Sequence, residues 1–377
     1  MIEILILILA LIGALFAWVI ISARRSMGYI FCNATISAWE ARLLPEARLI
    51  ELADMPRIVN IFSALDETEY RPQLAEVEKG EETDMVAVER ALRENLNTRY
   101  RELISMVPKD RKSTVMKVLQ RADLWNLKAI ITMIHEKVPQ ERRLQELISS
   151  PTMPRERLEM LASAKDLNGL LEFLKGSEFF DVISGALGGY EKHGLIALLS
   201  ALDKHYYTSL RKDALAKRAQ RSILKAMIGH EIDSVNIKLI LRLKQEGVPP
   251  EEIDKHLIRP SHELTEAMLK AMIMAEDVRS AIHMIHITTY GKILAEALPK
   301  IEEQGISAAE RALDEAHLKL CRWFEFTQFF SIAPVISYIY LKENEMKNLR
   351  AIVRFKADGL EPQRIKEKIV KVSKIEF

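Results

Sequence analysis

The sequence predicts an all-α protein: three similar helical-bundle domains in a pseudo-threefold funnel, preceded by an N-terminal transmembrane helix. Three observations carry that expectation. The chain opens on a long apolar run, a nine-residue pattern recurs three times at a period near 110 residues, and apolar positions elsewhere return at helical spacing. Composition agrees. Among 377 residues there are 14 Gly and 13 Pro, while Leu, Ala, Glu, Lys, Arg and Ile dominate, which favours long helices over strands and tight turns. A chain of this length also exceeds what one hydrophobic core usually organises.

The first element is the apolar run. Every residue from Ile4 to Ile21 is apolar or Gly, eighteen in all, close to the length that crosses a hydrocarbon layer. Arg24 and Arg25 follow at once, and no small-x-small cleavage site is evident, so residues 1–25 read as an uncleaved anchor with Ile4, Trp18, Ile21, Arg24 and Arg25 as its membrane-contacting residues. The Arg pair places the bulk of the chain on the cytoplasmic side of the cell membrane.

The repeat comes next. Asp123-Leu124-Trp125-Asn126-Leu127-Lys128-Ala129-Ile130-Ile131 returns as Asp233-Ser234-Val235-Asn236-Ile237-Lys238-Leu239-Ile240-Leu241 and as Glu345-Met346-Lys347-Asn348-Leu349-Arg350-Ala351-Ile352-Val353. The pattern is acidic-x-x-Asn-apolar-basic-x-apolar-apolar, and the Asn residues lie 110 and then 112 residues apart. Neighbouring landmarks keep step. Val138, Val248 and Leu360 each follow their Asn by 12 residues, with Pro139, Pro249 and Pro362 just beyond, while Leu92, Leu202 and Leu313 precede it by 34, 34 and 35. These spacings divide the body into helical repeat domains at 26–154, 155–262 and 263–377, with 26–46 joining the anchor to the first. Inside each, positions such as Leu161, Leu167, Leu170, Leu171 and Leu174 form the stripe of amphipathic helices, and each unit is large enough for a bundle of four or five with its own core. Three such bodies around an axis make a cup with a central hollow, a shape suited to holding a shaft.

Charge and motifs exclude several functions. With 54 basic and 53 acidic residues the net charge is +1, which gives no electrostatic reason to expect a nucleic-acid partner. Cys32 and Cys321 lack any ligand or disulfide pattern. The Gly-rich stretch Gly185-Ala186-Leu187-Gly188-Gly189 leads to Lys192 without the following hydroxyl that a phosphate loop needs. The pairs His283/His286 and His193/His205 have no third ligand in register. No catalytic, metal or cofactor site is expected, and no small-molecule substrate.

The repeated motif itself admits two roles. Each Asn can tie its helix to the backbone of a neighbour. Alternatively Asn126, Lys128, Asn236, Lys238, Asn348 and Arg350 line the funnel and meet partner helices. The mixed cluster Lys342-Glu343-Asn344-Glu345 reads as a solvated face.

The stretch Pro334-Val335-Ile336-Ser337-Tyr338-Ile339-Tyr340-Leu341-Lys342-Glu343-Asn344-Glu345-Met346-Lys347-Asn348-Leu349-Arg350 resembles the C subunit of archaeal (A/V-type) rotary ATP synthases, a family related to the d subunit of the vacuolar proton pump. Tyr29-Ile30-Phe31-Cys32-Asn33-Ala34-Thr35 is similar to that family's opening Tyr-x-x-x-Asn-Ala-Arg, with Thr35 in place of Arg. The resemblance covers about residues 28–377. It implies a non-catalytic central-stalk component of the whole A-type complex, resting on the proteolipid c-ring (the K subunits) and receiving the D and F subunits of the central stalk. It further implies mechanical coupling during ion-driven ATP synthesis. The competing expectation is a membrane-anchored helical scaffold or adaptor with some other partner.

Overall fold

The computed structural model describes residues 2–75, 77, 85–147, 149–216 and 220–372, without the side chains of 2–9, 21–26 and 145. Helices account for all regular structure among the described residues. A long α1 (Ile2–Glu40) leads to α2 (Glu46–Asp54), α3 (Ile58–Leu65), the single turn α4 (Arg71–Leu74) and the long α5 (Met85–Met106). Then follow α6 (Lys112–Leu119), α7 (Arg121–His135), α8 (Gln140–Arg143), α9 (Arg155–Ala162), α10 (Leu167–Leu174), α11 (Glu178–His193) and α12 (Leu195–Ala216). The same order returns as α13 (Arg221–Gln245), α14 (Pro250–His256), α15 (Glu266–Met274), α16 (Val278–His283), α17 (Thr289–Gln304) and α18 (Ile306–Thr327), followed by α19 (Ala333–Ala357) and α20 (Pro362–Lys366).

The expected N-terminal transmembrane helix is overturned. Among the described residues no helix is long and apolar enough to cross a membrane. The apolar run is the first half of one continuous helix, α1, which passes position 25 without a break and docks its second half, through Tyr29, Cys32, Asn33 and Ile36, on the body. Within the run, the side chains of Ala10 to Ile20 are the described ones. Trp18 is exposed in that stretch, while the side chains of Ile4, Ile21, Arg24 and Arg25 lie outside the described residues.

Each repeated Asn sits buried on a long helix, Asn126 on α7, Asn236 on α13 and Asn348 on α19. All three helices end alike. Lys137, Gly247 and Gly359 adopt φ of 56°, 72° and 75°, and the next residue's N–H returns to a carbonyl five positions back: Val138 to Met133 at 2.8 Å, Val248 to Leu243 at 2.9 Å, Leu360 to Phe355 at 2.9 Å. That is a left-handed helix stop repeated three times. The Pro after it starts a short helix and turns the chain back along the one just ended.

Packing groups the helices in a frame shifted by about half a repeat from the 26–154, 155–262 and 263–377 division. The first group joins α7 to α9–α12, and the second joins α13 to α14–α18. The third is discontinuous: α19 and α20 pack with α2, α3 and α5, so both ends of the chain build it together. In the first two groups two short helices and a longer pair cover one Asn-bearing helix, and in the third the short α2 and α3 and the long α5 do so. Buried apolar side chains do not divide by repeat either, since one core runs from Cys32 to Ile369 and a second covers Ile237 to Leu313. Most of α19, from Ala333 to Val353, is buried, including Lys342-Glu343-Asn344-Glu345, which corrects the expectation of a solvated face there.

At Lys137 a side chain occupies the left-handed position that Gly fills in the other two copies. Lys137→Gly is expected to raise stability by about 0.5–1 kcal/mol, since αL costs an L-residue that much or more. Urea unfolding of the two proteins checks it, and an unchanged midpoint would refute the helix-stop argument.

Candidate functional site

The three repeats meet at one buried point. Arg121, Glu231 and Glu343 each stand five residues before their Asn, so they are the same position of the repeat in three copies. The Arg121 guanidinium reaches Glu231 at 2.9 Å and Glu343 at 3.0 Å, joining α7, α13 and α19. Their side chains are 6%, 12% and 2% exposed. The guanidinium lies over the Tyr340 ring, 4.2 Å from its centroid. Tyr100 donates to Glu343 at 2.6 Å, Tyr207 to Glu231 at 3.0 Å, and Tyr340 also donates to Glu231.

One cation and two anions in a buried site hold together because every carboxylate has hydroxyl donors as well as its share of the guanidinium. Burial by itself lowers the Arg121 pKa, yet Glu231, Tyr340 and Glu343 hold it well above the ordinary value. Two imidazoles stand beside this knot. His317 packs edge-on to Tyr340 with centroids 4.5 Å apart, and its Nδ1 is 3.3 Å from Nδ1 of His230. Burial pulls both down to about 3, so both are neutral at ordinary pH.

A second buried knot is built by the residues flanking Glu343 on α19, Lys342 and Glu345. Lys342 donates to Glu69, to the Tyr70 hydroxyl at 2.8 Å and to Glu345 at 2.6 Å, and sits 4.1 Å from the Tyr70 ring centroid. Tyr70 in turn donates to Glu345 at 2.6 Å.

The sequence-predicted residues take defined places around these knots. Asn236 accepts from the Ile258 N–H at 2.8 Å and donates to the Ile258 carbonyl at 2.9 Å; Asn348 does the same with Val370 at 3.0 and 2.9 Å. Each clamps a residue 22 positions ahead, holding the returning segment to its own helix. Asn126 occupies the matching buried position. The basic residue two places on binds the longer helix of its group: Lys128 to Asp203 at 2.8 Å, Lys238 to Asp314 at 2.5 Å and Arg350 to Glu89 at 2.8 Å. The acid that opens the motif anchors the chain entering the next short helices. Asp123 accepts from Ser150 and Thr152, both at 2.5 Å, and Asp233 from the N–H groups of His262, Glu263 and Leu264. Glu345 accepts from the N–H of Leu44 at 2.6 Å. All three motif positions are thus used within the chain.

The shared position of Arg121, Glu231 and Glu343 is not evident in the sequence because charge type changes there from Arg to Glu. The equal spacing to the Asn was the available signal.

Arg121→Met leaves two buried carboxylates facing each other and is expected to cost about 3–5 kcal/mol in urea unfolding. Adding Glu231→Gln and Glu343→Gln should restore most of it, and failure of that rescue would show the loss is one of packing. For His317 the unfolded chain takes up a proton near the ordinary 6.5 that the folded chain refuses down to about 3, so its contribution is complete above 6.5 and is lost as pH falls toward 3. The slope is up to about 1.4 kcal/mol per pH unit, and His317→Gln should flatten the stability profile between about pH 6 and 4 by that amount.

Comparison with known proteins gives one consistent result. The family model described as ATP synthase (C/AC39) subunit matches residues 32–368. The A-type ATP synthase C subunit of Methanocaldococcus jannaschii is 30% identical over 344 residues, covering 91% of this chain and 86% of that one. Its counterpart in Thermococcus gammatolerans is 32% identical, covering 91% and 90%, and that of Pyrococcus horikoshii 29% identical, covering 95% of each. The chain belongs to the ATP synthase (C/AC39) subunit family, as an accessory and not a catalytic component of an ATP synthase.

Proposed function

We propose that the chain is the central-stalk coupling component of an A-type ATP synthase, passing rotation between the D and F subunits of the stalk and the proteolipid c-ring (the K subunits) during ion-driven synthesis. The observation that carries this reading is the Arg121–Glu231–Glu343 knot. A spacer that transmits torque must resist sliding between its parts, and sliding here would strand buried charges, the costliest kind of slip a helical interface can make. Division of the sequence into copies at 26–154, 155–262 and 263–377 fits the same reading, each copy lending one residue to the knot. Lys128, Lys238 and Arg350 then act as internal ties, stiffening the protein against twist.

A surface for the ring is supported by an apolar end of the body. Trp323, Phe326 and Phe330 are exposed at the end of α18 and the turn after it, and Phe31 is exposed on α1. They share one end, because Asn33 on α1 donates to the carbonyls of Phe329 and Ser331. Exposed aromatic clusters of this kind mark docking surfaces. The bulk of the chain is placed on the cytoplasmic face in this scheme.

The test is capture of the assembled complex through a tag on this chain. The D and F subunits and the proteolipid are expected together, and Trp323→Asp with Phe330→Asp should release the proteolipid while retaining D and F. Capture of none of these three, as a general scaffold would give, would overturn the proposal.

A further inference from the structure

The third packed group differs from the other two in a way that points to a conformational device. The first two are continuous in sequence and can form from neighbouring helices. The third is made by α19 and α20 meeting α2, α3 and α5 across most of the chain. Its ties are correspondingly dense. Where α7 and α12 are joined by Lys128–Asp203, and α13 and α18 by Lys238–Asp314 and Arg242–Glu310, the third group gives Glu89 three guanidiniums, those of Arg93, Arg350 and Arg354. Lys356 donates to the Ala53 carbonyl at 2.8 Å, Lys366 pairs with Asp54 at 2.6 Å and Lys371 with Glu46 at 3.0 Å.

Corresponding residues explain the crowding. Position for position, Arg93 stands where Asp203 and Asp314 stand in the other groups, so the acid that answers the motif's basic residue is missing. Glu89, one turn earlier on α5, supplies it and answers Arg93 as well. Joining segments some 260 residues apart also carries a larger loop-closure entropy than joining neighbours. Contacts of such long range form late in folding and open as a unit.

We propose that the two chain ends form a clasp: α2–α5 and α19–α20 close last, open together as one cooperative unit while the other two groups stay folded, and complete the aromatic end only when closed. The last part rests on the ring-docking reading above. It follows because α1, which carries Phe31, packs on α19 and is tied through Asn33 to the turn that leads into it, so opening α19 parts Phe31 from Phe326 and Phe330.

Hydrogen exchange of the full-length chain, followed by mass spectrometry in rising urea, tests the clasp without any partner. Residues 46–75, 85–106 and 333–366 should share one denaturant dependence and exchange at least about tenfold faster than 178–216 and 289–327. Independent exchange of 46–106 and α19, or one rate for all three groups, would overturn the clasp. Glu89→Gln should quicken exchange in both halves of the third group about tenfold and spare α15–α18. It should also lower proteolipid capture at least about fivefold. A variant that opens yet captures proteolipid as the parent does would overturn the link to docking and leave the coupling proposal intact, whereas loss of D, F and proteolipid by the parent chain would strike that proposal alone.

Discussion

Burying two carboxylates against a single guanidinium is the constraint from which the arrangement of the helices follows. Arg121 has to face Glu231 and Glu343 at once, which requires α7, α13 and α19 to converge with matching positions at one level. Hydroxyls of Tyr100, Tyr207 and Tyr340 must then arrive from α5, α12 and α19 to satisfy the remaining oxygens. Helices that carry those tyrosines are fixed in turn by the motif's own ties. The neutral pair His230 and His317 fills the space beside the knot with polar rings that burial keeps uncharged, so no further positive charge is added to it.

The nine-residue motif is a set of three fasteners. Its acid holds the chain entering the next pair of short helices, its Asn holds the returning segment 22 residues ahead, and its basic residue holds the longer helix of the same group. Each fastener uses a charged or bidentate hydrogen bond to a defined partner, which explains why side-chain identity persists while surrounding apolar residues vary among Leu, Ile and Val. Where one partner changes, another compensates: Arg93 displaces the acid found at Asp203 and Asp314, and Glu89 takes over one helical turn away.

Buried charge and exposed aromatic surface are separated in space. Charged knots lie inside, where low exposure strengthens them, and the aromatic end lies where α1 crosses the turn before α19. The buried helix α19 links the two regions, starting at the turn beside the aromatic end and carrying Glu343 into the knot.

Helical class, the threefold recurrence of the Asn pattern and the stop of each Asn-bearing helix are legible in the sequence, because helical periodicity, the Pro after each stop and the spacing of the Asn are local properties. It also carried the family resemblance, in the residues from Pro334 to Arg350. The rest depends on contacts between distant segments. The apolar N-terminal run reads as a membrane span when judged by hydropathy, but α1 continues through it and docks on the body. Lys342-Glu343-Asn344-Glu345 reads as a solvated face, yet partners from Glu69, Tyr70, Tyr100 and Arg121, up to 273 residues away, make its burial possible. The packed groups do not follow the repeat boundaries and the third breaks chain order, since only in three dimensions do both ends of the chain reach each other and supply the charges that long-range burial demands.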